Sequence, residues 1–227
     1  YFSFWGFALL VVLVACQSKP NAPDGASLVK IEIPVGDVQE LLFDSLFDDC
    51  SLVCLESKNE YQLGGMNLIR FYDGKFYILD SRYSKSIFVY DSNGRFIRKI
   101  GTSGKGPEEY MTPNHFIIDT LKNQIEILSY HKVSCYRLDG RFLYSFNYDF
   151  ESTSFYKEGY NYYFSMVGEK ASNLAVTDLE GQVVNQFIPS NFKMIMGHEP
   201  VCFVPLEGDL LFRPFMSDTV YALTESQ

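Results

Sequence analysis

The sequence predicts an all-β fold, a β-propeller of four-stranded antiparallel blades. Three observations carry this. Hydrophobic residues make up 47% of the 227 and aromatics 16%, and aromatic side chains favour strands. From Asn67 onward, short apolar runs alternate with turn signals, and no sustained 3.6-residue period is present. The turn signals also recur: Asp91-Ser92-Asn93-Gly94, Asp139-Gly140 and Asp178-Leu179-Glu180-Gly181 lie 46 and then 41 residues apart, glycine to glycine. That spacing is the length of one propeller blade. Charged residues are 21%, so apolar area is ample to offset chain entropy and disorder is excluded. Nineteen basic against 28 acidic residues give −9, with no basic stripe, which argues against a nucleic-acid partner.

Residues 1–15, YFSFWGFALLVVLVA, carry no charge. The apolar run from Phe4 is too short to span a bilayer, which takes about 20 residues, and fits the h-region of a secretory signal. The basic n-region and an initiator Met are absent, so the signal reads as cut at its N-terminus. Leu13-Val14-Ala15-Cys16 resembles the bacterial lipobox, in which the cysteine is lipidated and becomes the new N-terminus. Several acyl chains on Cys16, at about 0.8 kcal/mol per buried methylene, would hold the protein on a membrane. Residues 16–27 are rich in Pro, Ala, Ser and Gly and read as a flexible tether. Gln17 in place of Asp favours the outer membrane, by resemblance to the sorting rule of enteric bacteria.

Residues 28–227 form the predicted propeller domain. Strands are expected at 28–34 and 51–56, with a short helix or turn at 38–47 between them. The first blade takes 67–72, 75–80, 87–91 and 95–100. The second takes 115–119, 124–129, 133–138 and 141–149, and the third 154–157, 160–167, 173–178 and 182–188. A fourth has 200–205, 210–216 and 219–224. Asp73-Gly74 and Asn93-Gly94 supply the positive φ of tight hairpins. In KFYILD, Phe76, Ile78 and Asp80 face one way and Tyr77 and Leu79 the other, so both faces are largely apolar, as a blade between two others requires. Cys50 and Cys54 on one strand would lie about 13 Å apart, too far for a disulfide. These two, with Cys135 and Cys202, read as buried thiols.

A family resemblance rests on three stretches. Gly101-Thr102-Ser103-Gly104-Lys105-Gly106-Pro107-Glu108-Glu109-Tyr110 resembles the inter-blade G-x-x-G-x-G-P-x-E-Y segment of six-bladed β-propeller lipoproteins of Bacteroides-type bacteria, relatives of NHL-repeat propellers. Leu52-Val53-Cys54-Leu55-Glu56 resembles their opening V-P-L-E strand, with Cys54 for Pro, and Ser217-Asp218-Thr219-Val220-Tyr221 their later S-D-T-V-Y strand. The resemblance implies a six-bladed ring in the cell envelope, with no agreed activity. Six blades need roughly 240–270 residues, so the chain reads as a partial propeller with about four blades.

No catalytic constellation stands out. G-x-S-x-G and G-x-x-x-x-G-K-[ST] are both missing from the sequence. His115, His131 and His198 occupy unlike positions in their blades, so no metal and no cofactor is expected. Asp80, Asp91 and Asp178 end strands, where such side chains bond local backbone. The reading is a non-catalytic binding or scaffold module for a glycan, peptide or protein. The alternative is a lyase or hydrolase using the central channel, where the inner strands offer Arg70, His115 and Lys157. At one end of the disc the connectors are tight. At the other they are longer and richer in recognition chemistry, which places a ligand against Arg82, Tyr83, Lys105, Glu108, Tyr110, His131 and Lys132.

Cys16→Ser should move the protein from the membrane fraction to the soluble fraction on expression in a lipoprotein-processing bacterium. An unchanged membrane fraction would contradict lipidation at Cys16.

Overall fold

A computed structural model describes residues 50–168, 172–189, 202–206, 209–215 and 217–223. The lipobox at Cys16, the tether, the expected elements at 28–34 and 38–47, and His198 lie outside the described residues. The first blade contains β1 (Leu68–Tyr72), β2 (Lys75–Asp80), β3 (Ser86–Asp91) and β4 (Phe96–Ile100), hydrogen-bonded in that order and antiparallel throughout. The second repeats the pattern with β5 (Pro113–Asp119), β6 (Gln124–Ser129), β7 (Lys132–Arg137) and β8 (Phe142–Asn147). The third has β9 (Ser152–Glu158), β10 (Asn161–Met166), β11 (Ser172–Thr177) and β12 (Val183–Pro189). In the fourth, β13 (Phe203–Leu206), β14 (Asp209–Phe212) and β15 (Tyr221–Leu223) are described. The all-β propeller expected from the repeat period is the fold observed.

Two kinds of hairpin set the registers. Between β1 and β2, Asp73 and Gly74 both have positive φ, +48° and +67°, the type I′ geometry that follows strand twist. The turns after third strands differ from that expectation. Only the glycine is left-handed there, at Gly94, Gly140 and Gly181, and the pairing slips by one residue beside each turn. This is the glycine bulge, which adds local twist. The aspartate beside each turn holds it: Asp91 Oδ1 accepts the amides of Asn93 and Arg95, both at 2.9 Å. Asp178 Oδ1 accepts those of Glu180 and Gln182, and Asp139 Oδ1 that of Arg141.

The core lies between blades. Tyr77, Leu79, Ile87 and Val89 of the first blade pack with Phe116, Ile125 and Ile127 of the second. Leu128, Val133 and Phe146 of the second pack with Phe155, Tyr162 and Phe164 of the third. Leu174 of the third meets Phe203, Leu210 and Phe212 of the fourth. Each such side chain contributes roughly 1.5–3 kcal/mol by leaving water. The opposite face of the first blade, Ile78, Phe88 and Tyr90, is packed by Leu55, Tyr61 and Leu63. The alternation read in KFYILD is therefore real, with Phe76 and Ile78 on one side and Tyr77 and Leu79 on the other.

Residues 51–56 do not form the expected strand. The Glu56 amide reaches the Gly94 carbonyl at 2.7 Å, but its carboxylate, rather than backbone, takes the Phe96 amide at 3.0 Å. A side chain thus occupies the donor that a ladder would have used. Cys50 and Cys54 are exposed, not buried, because they lie in this segment and outside any strand. Cys135 and Cys202 are buried as expected. Burial, reinforced by the Glu126 charge, pushes the Cys135 thiol up to about 12.

One charged cluster sits where the second and third blades meet. Lys157 of β9 donates to Asp119 Oδ2 at 2.9 Å and Glu126 Oε1 at 2.6 Å. The Lys157 and Glu126 side chains are 8% and 0% exposed, which makes this a buried clasp. Gln124 Nε2 also donates to Glu126 Oε1, at 2.7 Å. Burial opposes the Asp119 carboxylate, but Lys157 and the Lys122 amide outweigh it and hold the carboxyl below its ordinary 3.8. Burial likewise opposes the Lys157 ammonium, and its two carboxylates raise it above its ordinary 10.5. A depressed Asp stabilises above its unfolded value and loses this as pH falls through the folded one. A raised Lys stabilises below its unfolded value and loses this as pH rises through the folded one. The clasp is therefore intact from about pH 4 to about pH 10.

Lys157→Met should lower unfolding stability at pH 7 by about 3–5 kcal/mol, because two carboxylates lose their buried partner. The deficit, read by urea denaturation, should shrink towards pH 3 as Asp119 protonates. A deficit that is equal at pH 7 and pH 3 would mean lost packing rather than lost charge.

Candidate functional site

In an up-and-down blade, the β2–β3 loop, the β6–β7 loop and the β4–β5 link share one end of the disc. Each is held by side chains from the strands beside it. Asp80, fully buried at the end of β2, gathers the β2–β3 loop. Its Oδ1 accepts the amides of Tyr83 at 2.9 Å and Arg82 at 3.3 Å, and its Oδ2 those of Gly64 at 2.8 Å and Ser84 at 3.2 Å. Burial disfavours its charge, but these amides prevail and hold its carboxyl below the ordinary range. Arg82 and Tyr83 are left exposed at the loop tip, Tyr83 by 74%.

The link between the first two blades, 101–112, is a folded platform. Tyr110 N donates to Thr102 O, Gly104 N to Tyr110 O, and Ser103 Oγ to Met111 O. Glu109 Oε2 accepts the Gly106 amide at 2.8 Å. The second blade grips the platform from below: Tyr136 OH donates to Glu108 O at 2.6 Å, and Lys132 Nζ to Pro107 O at 2.8 Å and Glu109 O at 3.0 Å. One glycine is dictated by space. Gly101 has φ +66°, and a Cβ there would lie 2.6 Å from the Tyr110 ring and 2.8 Å from that of Tyr136. A Cβ on Gly104 would meet only the Glu109 carboxylate, the far end of a side chain that can swing aside.

The seven expected ligand residues therefore divide. Arg82, Tyr83, Lys105 and Glu108 present exposed side chains. Tyr110 does not: it is 1% exposed and donates its hydroxyl to Ile100 O at 2.6 Å, so it is the post on which the link folds. Burial pushes its phenol up to about 12. Lys132 is half-buried with its ammonium engaged on link carbonyls, so it supports the platform rather than facing a ligand. His131 is half-buried at φ +57°. Its ring meets that of Tyr130 edge-on at 4.5 Å. Tyr130 is 58% exposed at the same end and was missed. The signal was its place at the tip of the two-residue turn between Ser129 and Lys132, where neither face can be covered.

The opposite end is not uniformly tight. Residues 120–123 join β5 to β6 in four residues, with Asn123 at φ +51°. A cavity of about 370 Å³ opens there beside Leu121, Lys122 and Gly159. At the axis, β1, β5, β9 and β13 line a cavity of about 360 Å³ that includes Arg70 and His115. Lys157 belongs instead to the clasp between blades. Among the described residues, no group of three His, Cys, Asp or Glu side chains gathers as metal ligands would.

Successive four-stranded antiparallel blades about an axial cavity, with engaged carboxylates in the loops, define the class: a β-propeller. The chain belongs to the DUF5128 family, described as 6-bladed beta-propeller, whose profile matches residues 26–227. A solved Bacteroides fragilis protein, described as a candidate exported protein, is similar with a TM-score of 0.68 at 23% identity. The match covers 78% of this chain and 52% of that one, so the chain spans about half its length. A Bacteroides caccae protein of unknown function is similar at TM-score 0.42 and 14% identity, over 66% of this chain and 57% of its own. BamB of Moraxella catarrhalis is similar at 0.39 and 16%, over 64% and 39%. No curated protein matches at a significant level.

Gly101→Ala should destabilise the protein by more than about 2 kcal/mol, since left-handed φ alone costs an alanine roughly 1–2 and the two tyrosine rings must also move. Lys105→Ala, exposed on the same link, should stay within about 0.5 kcal/mol. Thermal unfolding of both variants checks the contrast. Equal effects would mean that the link is not a rigid platform.

Proposed function

We propose that the chain is part of a lipid-anchored propeller of the bacterial cell envelope, held on the outer membrane through Cys16, and that it acts as a binding module for a glycan, peptide or protein. The working surface is the end of the disc that carries Arg82, Tyr83, Lys105, Glu108 and Tyr130. One observation carries this reading. The backbone there is fixed by the buried side chains of Asp80, Tyr110 and Tyr136 and by the half-buried Lys132, while neighbouring charged and aromatic side chains stay exposed. Binding side chains on loops that are already ordered lose less entropy when a ligand arrives. Engagement of the Asp80 carboxylate by four backbone amides supports binding over catalysis at that loop, because a carboxylate clamped by several amides is a poor proton carrier at neutral pH.

Array screening against glycans and peptides would supply a ligand. Alanine at Arg82, Tyr83, Lys105 or Glu108 should then weaken it at least tenfold in the most affected variant. Alanine at Asn93, Leu121 or Lys122, at the opposite end, should leave it unchanged. Losses confined to the second set would overturn the assignment of the working end.

A further inference from the structure

Arg70 stands out among the charged groups of the inner strands. It is half-buried on β1 and lines the axial cavity. Lys157, on the inner strand β9, has two carboxylates against it. Arg70 has none among the described residues; its one hydrogen bond there runs from Nη1 to the carbonyl of its own neighbour Ile69, at 3.3 Å. Desolvation lowers its pKa with no opposing charge to restore it. A guanidinium carries five N–H donors in a planar fork, and one that is partly withdrawn from water without a counter-charge is open to an anionic partner.

The cavity around it is mostly apolar. Phe71 of β1, Tyr156 of β9 and Phe203 of β13 contribute rings, and His115 stands edge-on to Phe155 at 5.5 Å. Its volume, about 360 Å³, lies at the low end for small-molecule sites, which run from about 300 to 1,000 Å³. A single guanidinium compensates one negative charge, and aromatic walls compensate none. That charge count favours a carboxylate over a doubly charged phosphate, and the fork geometry accepts a carboxylate through two parallel bonds.

We infer that the axial cavity is a binding site for a small aromatic carboxylate, whose anionic group pairs with Arg70 and whose ring lies among Phe71, Tyr156 and Phe203. This site is separate from the loops at the end of the disc and does not depend on them.

The test titrates the full chain with 4-hydroxybenzoate and with 4-hydroxybenzamide, which keeps the ring and removes the charge. The carboxylate should bind at least tenfold more tightly, and its affinity should fall with added salt. Arg70→Gln should reduce binding of the carboxylate to the level of the amide, and Arg70→Lys should fall between, since a point charge replaces the fork. If Arg70→Gln fails to fold, the two ligands on the unaltered chain still decide. Equal affinity for both, binding of neither, or tighter binding of inorganic phosphate would each overturn the inference.

Discussion

Everything in this fold depends on blades whose two faces are both apolar. A sheet with one wet face can stand at the edge of a protein, but one with two dry faces needs a neighbour on each side. The sequence meets that demand with large rings: Tyr77, Phe88, Phe116, Tyr136, Phe155, Tyr162 and Phe164 are all buried to within 1%. They pack across both seams, so the second blade is wedged between the first and third by side chains from all three. Polar chemistry is consequently driven to the two ends of the disc, to the axis, and to the rare buried clasp. Where the middle of a blade does hold a charge, as at Glu126, a lysine from the next blade meets it.

The same constraint explains why the loops are ordered. Strands of one blade are joined by ladders of backbone bonds, but among the described residues no ladder crosses from blade to blade. The crossing must be stabilised by side chains, and the link from β4 to β5 does so with Tyr110, Tyr136 and Lys132. Each of these bonds adds only about 1 kcal/mol net. Their combined effect is to define one path for a glycine-rich segment that would otherwise have many. Asp80 does the same for the β2–β3 loop, acting through a buried carboxylate whose charge the surrounding amides favour.

Strands and turns were legible because both depend on local sequence. Period-two alternation locates Lys75–Asp80 and Gln124–Ser129 to the residue, and the recurring aspartate and glycine pairs locate the hairpins between them. What was not legible depends on partners far away in sequence. Tyr110 reads as an exposed loop aromatic until Ile100 and Tyr136 close around it. Lys132 reads as a recognition lysine until the Pro107 carbonyl, 25 residues earlier, meets its ammonium. Residues 51–56 read as a short apolar strand, and only the Phe96 amide donating to the Glu56 carboxylate shows why they stop short of one. The G-x-x-G-x-G-P-x-E-Y segment was legible as a sharp inter-blade turn, but not as a platform, since its carbonyls are bound from another blade.

The two inner-strand cations show how the fold separates structure from function. Lys157 and Arg70 occupy comparable innermost strands, and sequence alone treats them alike. Lys157 falls where two blades press together, and Asp119, Glu126 and Gln124 converge there, so its charge is consumed in joining blades. Arg70 faces the axis, where neighbouring inner strands diverge around a cavity and bring rings instead of carboxylates. A buried charge with its partners in place holds a structure together and resists any further ligand. Arg70, half-buried and without a carboxylate among the described residues, keeps its charge free for a complementary group. The distinction lies in the partners that the propeller geometry delivers to each position.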